Sequence, residues 1–217
     1  YDEASAFMKR LTDFLKLPKN SKILDLACGK GRHSRYLNQL GYDVVGADLS
    51  PSSIEYASQF ENEKLHFAVH DMCIPFPKKF DAIFNLFTSF GYFEKDEDNL
   101  RTIKAIAAQL KENGAGVIDF LNMEYTKNTL VPSETKVVDG IEFNLSRYFE
   151  NGYLWKEIEF DFEGENHYYT ERVKALTLDD FKGYFDAAGV SIRHCFGDYK
   201  LTSFDPATSP RLILIFS

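Results

Sequence analysis

The sequence predicts an α/β fold: a doubly wound, mostly parallel seven-stranded sheet with an antiparallel last strand and a small antiparallel β flap. Three observations carry this. Over the first 121 residues short apolar runs alternate with amphipathic stretches, the pattern of a parallel sheet covered on both faces. Between residues 134 and 172 the pattern changes to period-2 alternation broken by turn signals, as antiparallel hairpins require. Two further apolar runs, 190–196 and 212–216, follow with no helix between them, so the last strand is expected to run antiparallel.

The elements follow in order. Residues 2–16 repeat with helical period, Ala6, Phe7, Leu11, Phe14 and Leu15 sharing a face and Pro18 acting as a stop. Residues 23–27 form a first apolar strand, 29–40 a loop entering a helix closed by Gly41, and 44–47 a second strand. Ser50-Pro51 supplies an N-cap and a proline in the first helical position for a helix through residue 60. Residues 65–69 and 82–86 are the third and fourth strands. A helix over 96–111 aligns Leu100, Ile103, Ile106, Ala107 and Leu110 and is closed by Gly114, before a fifth strand over 115–121. The flap reads as three strands, 136–149, 153–162 and 167–176, interrupted at Asp139-Gly140, Asn151-Gly152 and Gly164-Glu165-Asn166. Asn-Gly is the strongest of these hairpin signals. Thr177 with Asp180 three residues on opens a last helix, ended by Gly189.

A chain of 217 residues suits a single domain, with 134–172 as an insertion within it. Its 25 basic and 33 acidic residues give a net charge of −8, which argues against nucleic acid as a partner, because phosphate binding rests on Lys and Arg. The most apolar stretch, 81–93, is far short of a membrane span and carries Asn85, Thr88 and Ser89. No membrane partner is expected. Cys28, Cys73 and Cys195 are widely spaced, without a CxxC pair or metal-ligand spacing. They predict reduced thiols in a cytoplasmic protein with no metal site.

The chemistry centres on Ile23-Leu-Asp-Leu-Ala-Cys-Gly-Lys-Gly-Arg-His-Ser34. A strand enters Gly29-x-Gly31 and then a helix, so a ligand can approach the backbone and the free N–H groups of the helix start. The next strand ends in Asp48, 17 residues past Gly31, where a carboxylate can accept both hydroxyls of a ribose. The bland alternative is a strand–turn–helix whose glycines only turn and cap. A dinucleotide fingerprint would carry a third glycine where Ser34 stands. Asp25 would oppose a diphosphate but suits an ammonium or sulfonium ligand.

These residues resemble the class I S-adenosylmethionine-dependent methyltransferases, in the small-molecule branch with a CGxGRHS loop. Asp25-x-Ala27-x-Gly29-x-Gly31 matches the family's glycine loop, with Ala27 in place of its first glycine. His70-Asp71-Met72, the segment 80–93 and Leu110-Lys-Glu-Asn-Gly-Ala-Gly116 match its later motifs. The resemblance covers about residues 20–121, and 177–217 by pattern alone. It implies that Gly29 and Gly31 pass under the methionine part, that Asp48 holds the ribose and that Leu49 packs on adenine. It further implies that Asp71, beside Met72, meets the adenine amino group, and that Asn85 and Leu86 lie near the methionine end.

Phe90 and Tyr92, after the fourth strand, are expected to wall an acceptor pocket. His33, His167 and His194 read as structural, and no catalytic residue is identified. The expected function is methyl transfer to a small-molecule acceptor by direct displacement. An NAD(P)-dependent oxidoreductase and a non-catalytic adenosylmethionine-binding protein are the alternatives. The segment 134–172 holds ten acids and four bases, and nine aromatics fall in 143–169. The flap is expected to roof the acceptor pocket near Phe90 and Tyr92, rather than to pair two chains as a homodimer. Its acidic face is either merely solvated or draws a cationic or amine acceptor.

Overall fold

The computed structural model describes residues 2–217, with side chains from Glu3 onward. Helix α1 (Asp2–Phe14) precedes the unit β1 (Lys22–Leu26), α2 (Arg32–Gln39), β2 (Asp43–Asp48), α3 (Pro51–Ser58) and β3 (Leu65–Val69). The chain then crosses to β4 (Phe80–Asn85), α4 (Glu97–Gln109) and β5 (Leu110–Leu121). A short α5 (Met123–Thr129) leads into β6 (Ser133–Val138), β7 (Ile141–Glu150), β8 (Tyr153–Phe162) and β9 (Glu165–Lys174). Helix α6 (Leu178–Ala188), β10 (Ile192–Phe196) and β11 (Arg211–Phe216) complete the chain. No described helix is long and apolar enough to cross a membrane.

The main sheet has seven strands in the order β10-β11-β5-β4-β1-β2-β3. Strand β11 runs antiparallel to both its neighbours, and the rest pair in parallel. Strand order reverses between β1 and β4, which opens a crevice at their carboxyl ends. One face of the sheet packs Leu24, Ile83, Ile118 and Phe120 against α4 and α6. The other packs Ile23, Phe84, Ile213 and Ile215 against α1 and α2. Burial on both faces is why these strands are apolar throughout.

The caps lie where the residue types place them. Ser50 accepts from Ser53 N–H, Thr177 and Asp180 form a capping box, and Gly189 ends α6 at φ 72°. Other elements differ from expectation. The buried face of α1 is Phe7, Met8, Leu11 and Thr12, while Ala6 and Phe14 are exposed. The β5 strand starts at Leu110 with a bulge: its pairing jumps from Phe80↔Leu110 to Ala82↔Ala115. A Cβ on Gly114 would lie 2.9 Å from the Phe80 carbonyl, so that glycine serves the bulge and not a helix end. Helix α5 was not expected; Asn122 caps it by accepting from Glu124 N–H at 3.2 Å.

The flap has four strands, not three, in the order β6-β7-β8-β9. Asp139-Gly140 makes a full turn at φ 51° and 81°, matching Asn151-Gly152 at 50° and 80°. The third turn is Glu163-Gly164, at 53° and 83°. Each is a two-residue connection with positive φ at both positions, whose twist fits a hairpin. The flap is anchored at its base. Lys174 N–H donates to the Gly91 carbonyl at 2.8 Å, and Leu154 and Val173 are buried in the same apolar cluster as Phe90 and Phe120.

Candidate cofactor and acceptor site

The crevice between β1 and β4 is built by three loops. The first leaves β1 through Ala27 (φ 59°), Cys28 and Gly29 (φ 54°) and enters α2 at Gly31 (φ 74°). Asp48, at the end of β2, ties this loop to the next. Its two oxygens accept from Gly29 N–H at 2.8 Å and from Ser50 N–H at 2.9 Å. The glycines differ in purpose. A Cβ on Gly29 would meet nothing within 4 Å, whereas one on Gly31 would sit 2.5 Å from the Phe67 ring. Gly31 therefore serves packing, and a larger residue there is a folding lesion before it is a binding one.

A cavity of about 430 Å³ opens above these loops. It is lined by Ala27, Asp48 and Leu49 from the first two loops, by His70 and Met72 after β3, and by Thr88, Ser89, Tyr92 and Phe93 after β4. Leu49 is 64% exposed, an apolar side chain left on the rim. Asp25 and Asn85 do not line the cavity, and both are buried. Ser34 Oγ donates to Asp25 at 2.6 Å. Burial pushes the Asp25 carboxyl up to about 6, against the Ser34 hydrogen bond and with a further push from Asp48. Asn85 Nδ2 reaches the Leu26 carbonyl at 3.4 Å, while its Oδ1 has no partner. Asp71 accepts from Cys73 N–H at 2.8 Å, which shapes the turn behind Met72.

One expectation about the walls is corrected. Phe90 is fully buried and packs on Phe93 and Phe181 at ring distances of 6.0 and 5.5 Å. It is core, in the cluster with Phe120, Phe181 and Phe185. Leu86 is likewise buried, in the cluster with Phe7 and Leu11 on the opposite face of the sheet. Tyr92 does face the cavity, half exposed. His33 stacks on Phe87 at 4.4 Å, and burial lowers its pKa to about 4, so it is a neutral packing residue at pH 7.

The loop after β4 holds the residues that sequence reasoning missed. Phe87 and Thr88 both adopt positive φ, 58° and 59°, a strained pair of non-glycine residues. Buried Asp119 on β5 holds them: its Oδ2 accepts from Phe87 N–H at 2.8 Å, and its backbone carbonyl accepts from Thr88 N–H at 3.0 Å. Arg211 on β11 pairs with Asp119 at 2.7 Å and donates to Thr88 Oγ1 at 2.8 Å. Tyr199 OH donates to Asp119 at 3.2 Å. Asp119 and Arg211 are 92 positions apart, and only strand pairing brings them together.

A second cavity, of about 210 Å³, lies between this loop and the base of the flap. Thr88 and Tyr92 line it too, so the two cavities share a wall. The flap thus stands at the carboxyl edge of the sheet. No group of three or more His, Cys, Asp or Glu side chains among the described residues is arranged to hold a metal ion.

Residues 23–114 match the family described as a methyltransferase domain. A putative methyltransferase of Bacillus subtilis, YqeM, is 34% identical over 107 residues, covering 48% of this chain and 43% of that protein. A dTDP-3-amino-3,4,6-trideoxy-α-D-glucopyranose N,N-dimethyltransferase of Streptomyces venezuelae is 27% identical over 106 residues, covering 48% and 44%. The matched stretch spans less than half the length of these relatives. An S-adenosylmethionine-dependent methyltransferase of Clostridium acetobutylicum superposes over all of this chain and 91% of its own, with a TM-score of 0.84 at 20% identity. The Streptomyces venezuelae DesVI structure superposes over 99% and 91%, with a TM-score of 0.73 at 20% identity. Residues 23–114 thus match a methyltransferase-domain family by sequence, and the chain as a whole has the fold of these solved methyltransferases.

Proposed function

We propose that the protein is an S-adenosylmethionine-dependent methyltransferase acting on a small-molecule acceptor by direct displacement. One observation carries the cofactor assignment. Each Asp48 oxygen accepts one backbone N–H and keeps a second acceptor position, beside a cavity rimmed by apolar Leu49 and Met72. Adjacent ribose hydroxyls and a purine face need that combination. In this reading Ala27 and Gly29 lie against the methionine part, and the unpartnered Asn85 Oδ1 accepts from its ammonium. Asp25 supplies negative charge beneath it, and Asp71 is left for the adenine edge.

When bound, the cofactor supplies a sulfonium methyl carbon: an acceptor lone pair bonds to it as the carbon–sulfur bond breaks onto sulfur, and an acceptor proton leaves to solvent. The chain contributes alignment and exclusion of water. Thr88 is fixed by Arg211 and by the backbone of Asp119, and the flap covers the far side. A dinucleotide fits less well, since a diphosphate over this loop would face buried Asp25. Similarity to an amino-sugar N-methyltransferase supports a small-molecule acceptor, and three free thiols support a reducing, cytoplasmic compartment. Calorimetric titration with adenosylmethionine, adenosylhomocysteine and NAD tests the reading. The first two should bind and NAD should not; binding of NAD alone overturns it.

A further inference from the structure

The flap is strongly acidic, with ten carboxylates against four cations over residues 134–172. The cavity at its base has the opposite character. Two of the four cations, Arg147 and Lys156, turn their side chains to it, with only one of the ten carboxylates, Glu171. Their pairing leaves much donor capacity free. Arg147 uses one N–H on Glu134 at 2.6 Å, and Lys156 one on Glu171 at 3.2 Å. Arg172, paired with Trp155 across the strands, lies over the rings of Tyr153 and Trp155 at 4.7 and 5.5 Å, on the other face of the flap sheet. Arg147 and Lys156 are also partly withdrawn from solvent, their side chains 21% and 35% exposed. Cations gathered in a recess of low dielectric attract an anion more strongly than the same charges on an open surface.

The expectation from net charge alone, a cationic acceptor, is therefore reversed at the place where contact would occur. Most of the flap's carboxylates lie elsewhere. Glu142, Glu150, Glu157, Glu159 and Asp161 share the opposite face of the sheet, by the register that pairs Tyr148 with Trp155 and Asn144 with Glu159.

We propose that this cavity is the acceptor subsite and that it holds an anionic group of the acceptor, a carboxylate or a phosphate. The inference rests on the methyltransferase reading above. Arg147 and Lys156 grip the anion, Leu154 and Val173 form an apolar floor, and the methyl-accepting atom lies towards Thr88 and Tyr92. Those two residues are common to both cavities, so the acceptor spans from the flap to the cofactor side. The acidic outer face keeps other anions from non-specific binding.

The test uses matched primary amines with adenosylmethionine, reading adenosylhomocysteine formation. One arm pairs an amino acid with its amide; the other pairs a nucleoside-diphosphate amino sugar with the free amino sugar. The wild type should favour the anionic member in one arm, which identifies the anion as carboxylate or phosphate. The double variant Arg147→Gln/Lys156→Gln should raise KM for that member by roughly tenfold or more, leaving kcat and adenosylmethionine affinity near wild type. Calorimetry with succinate and with inorganic pyrophosphate gives a readout independent of turnover: one should bind the wild type and be lost in the variant. Preference for neutral amines, an unaffected variant, or no binding of either anion overturns the anionic subsite while adenosylmethionine still binds. Failure of adenosylmethionine itself to bind overturns the underlying reading instead.

Discussion

Two sets of residues in this molecule share one unusual backbone angle. Ala27, Phe87 and Thr88 border the crevice, and Asp139, Asn151 and Glu163 sit in the flap turns, all at φ between 50° and 59°. In the flap each is followed by a glycine at φ 80–83°, exposed to water and needed only to reverse the chain. At the crevice no glycine follows Phe87 or Thr88, and the angle is enforced by a buried ion pair and its hydrogen bonds. The difference teaches that a left-handed residue marks a site only where the surroundings impose it. In the flap local chemistry is sufficient; at the crevice a contact spanning 92 positions is required.

Breaking the imposed set should have the largest effect. Arg211→Met leaves Asp119 buried without its cation, which costs about 3–5 kcal/mol in urea unfolding. In a variant that still folds, Phe87 and Thr88 lose their clamp, so turnover should fall further than adenosylmethionine affinity. A flap change such as Asn151→Gly should move stability by less than about 0.5 kcal/mol. Equal losses in the two variants would end the distinction.

Asp25 gives the next effect, through pH. Its carboxyl is raised to about 6 from 3.8, so the folded state holds the proton more tightly than the unfolded chain. Its contribution is fully present below pH 3.8 and is lost as pH rises through about 6, by about 3 kcal/mol in all. The stability of wild type minus that of Asp25→Asn should fall over that window and stay flat above it. A rising difference would assign the carboxylate a stabilising partner that the fold does not contain.

Asp48→Ala should weaken adenosylmethionine binding by about 1.5–3 kcal/mol, roughly tenfold or more, seen by calorimetry. It also frees the Gly29 and Ser50 N–H groups, so the loop should protect less well in hydrogen exchange. The smallest effect sharpens the comparison. Ala27→Gly relieves a left-handed alanine and should stabilise by up to about 1 kcal/mol, whereas Asn151→Gly gains nothing, since asparagine tolerates that region.

Legibility followed the range of the determining contact. The capped helix starts at Ser50-Pro51 and Thr177, the strand of Asp48 and the glycine loop were all readable, because each is set by neighbours in sequence. The Asp139-Gly140 turn carried a signal that was undervalued, and β6 was merged with β7. Helix α5 is too short to show a period. The assignment of Phe90 to the acceptor wall failed because proximity to a strand end does not reveal which way a side chain points; Phe90 packs in the core with Phe120 and Phe181. The Asp119–Arg211 pair, and the meeting of Arg147 and Lys156 at one cavity, had no sequence signal, because pairing across strands creates both.

The place of β11 bears on how the protein is made. This strand lies inside the sheet, between β5 and β10. On the ribosome, β1 to β5 and the whole flap emerge while β5 still presents an unpaired apolar edge and Asp119 lacks its cation. Only when residues 211–216 have left the exit tunnel can that edge close, since a nascent chain folds in the order of its synthesis. Until then the half-built sheet is a template for pairing with other chains. A stop codon upstream of Arg211 should therefore yield an insoluble product and not a weakly active one.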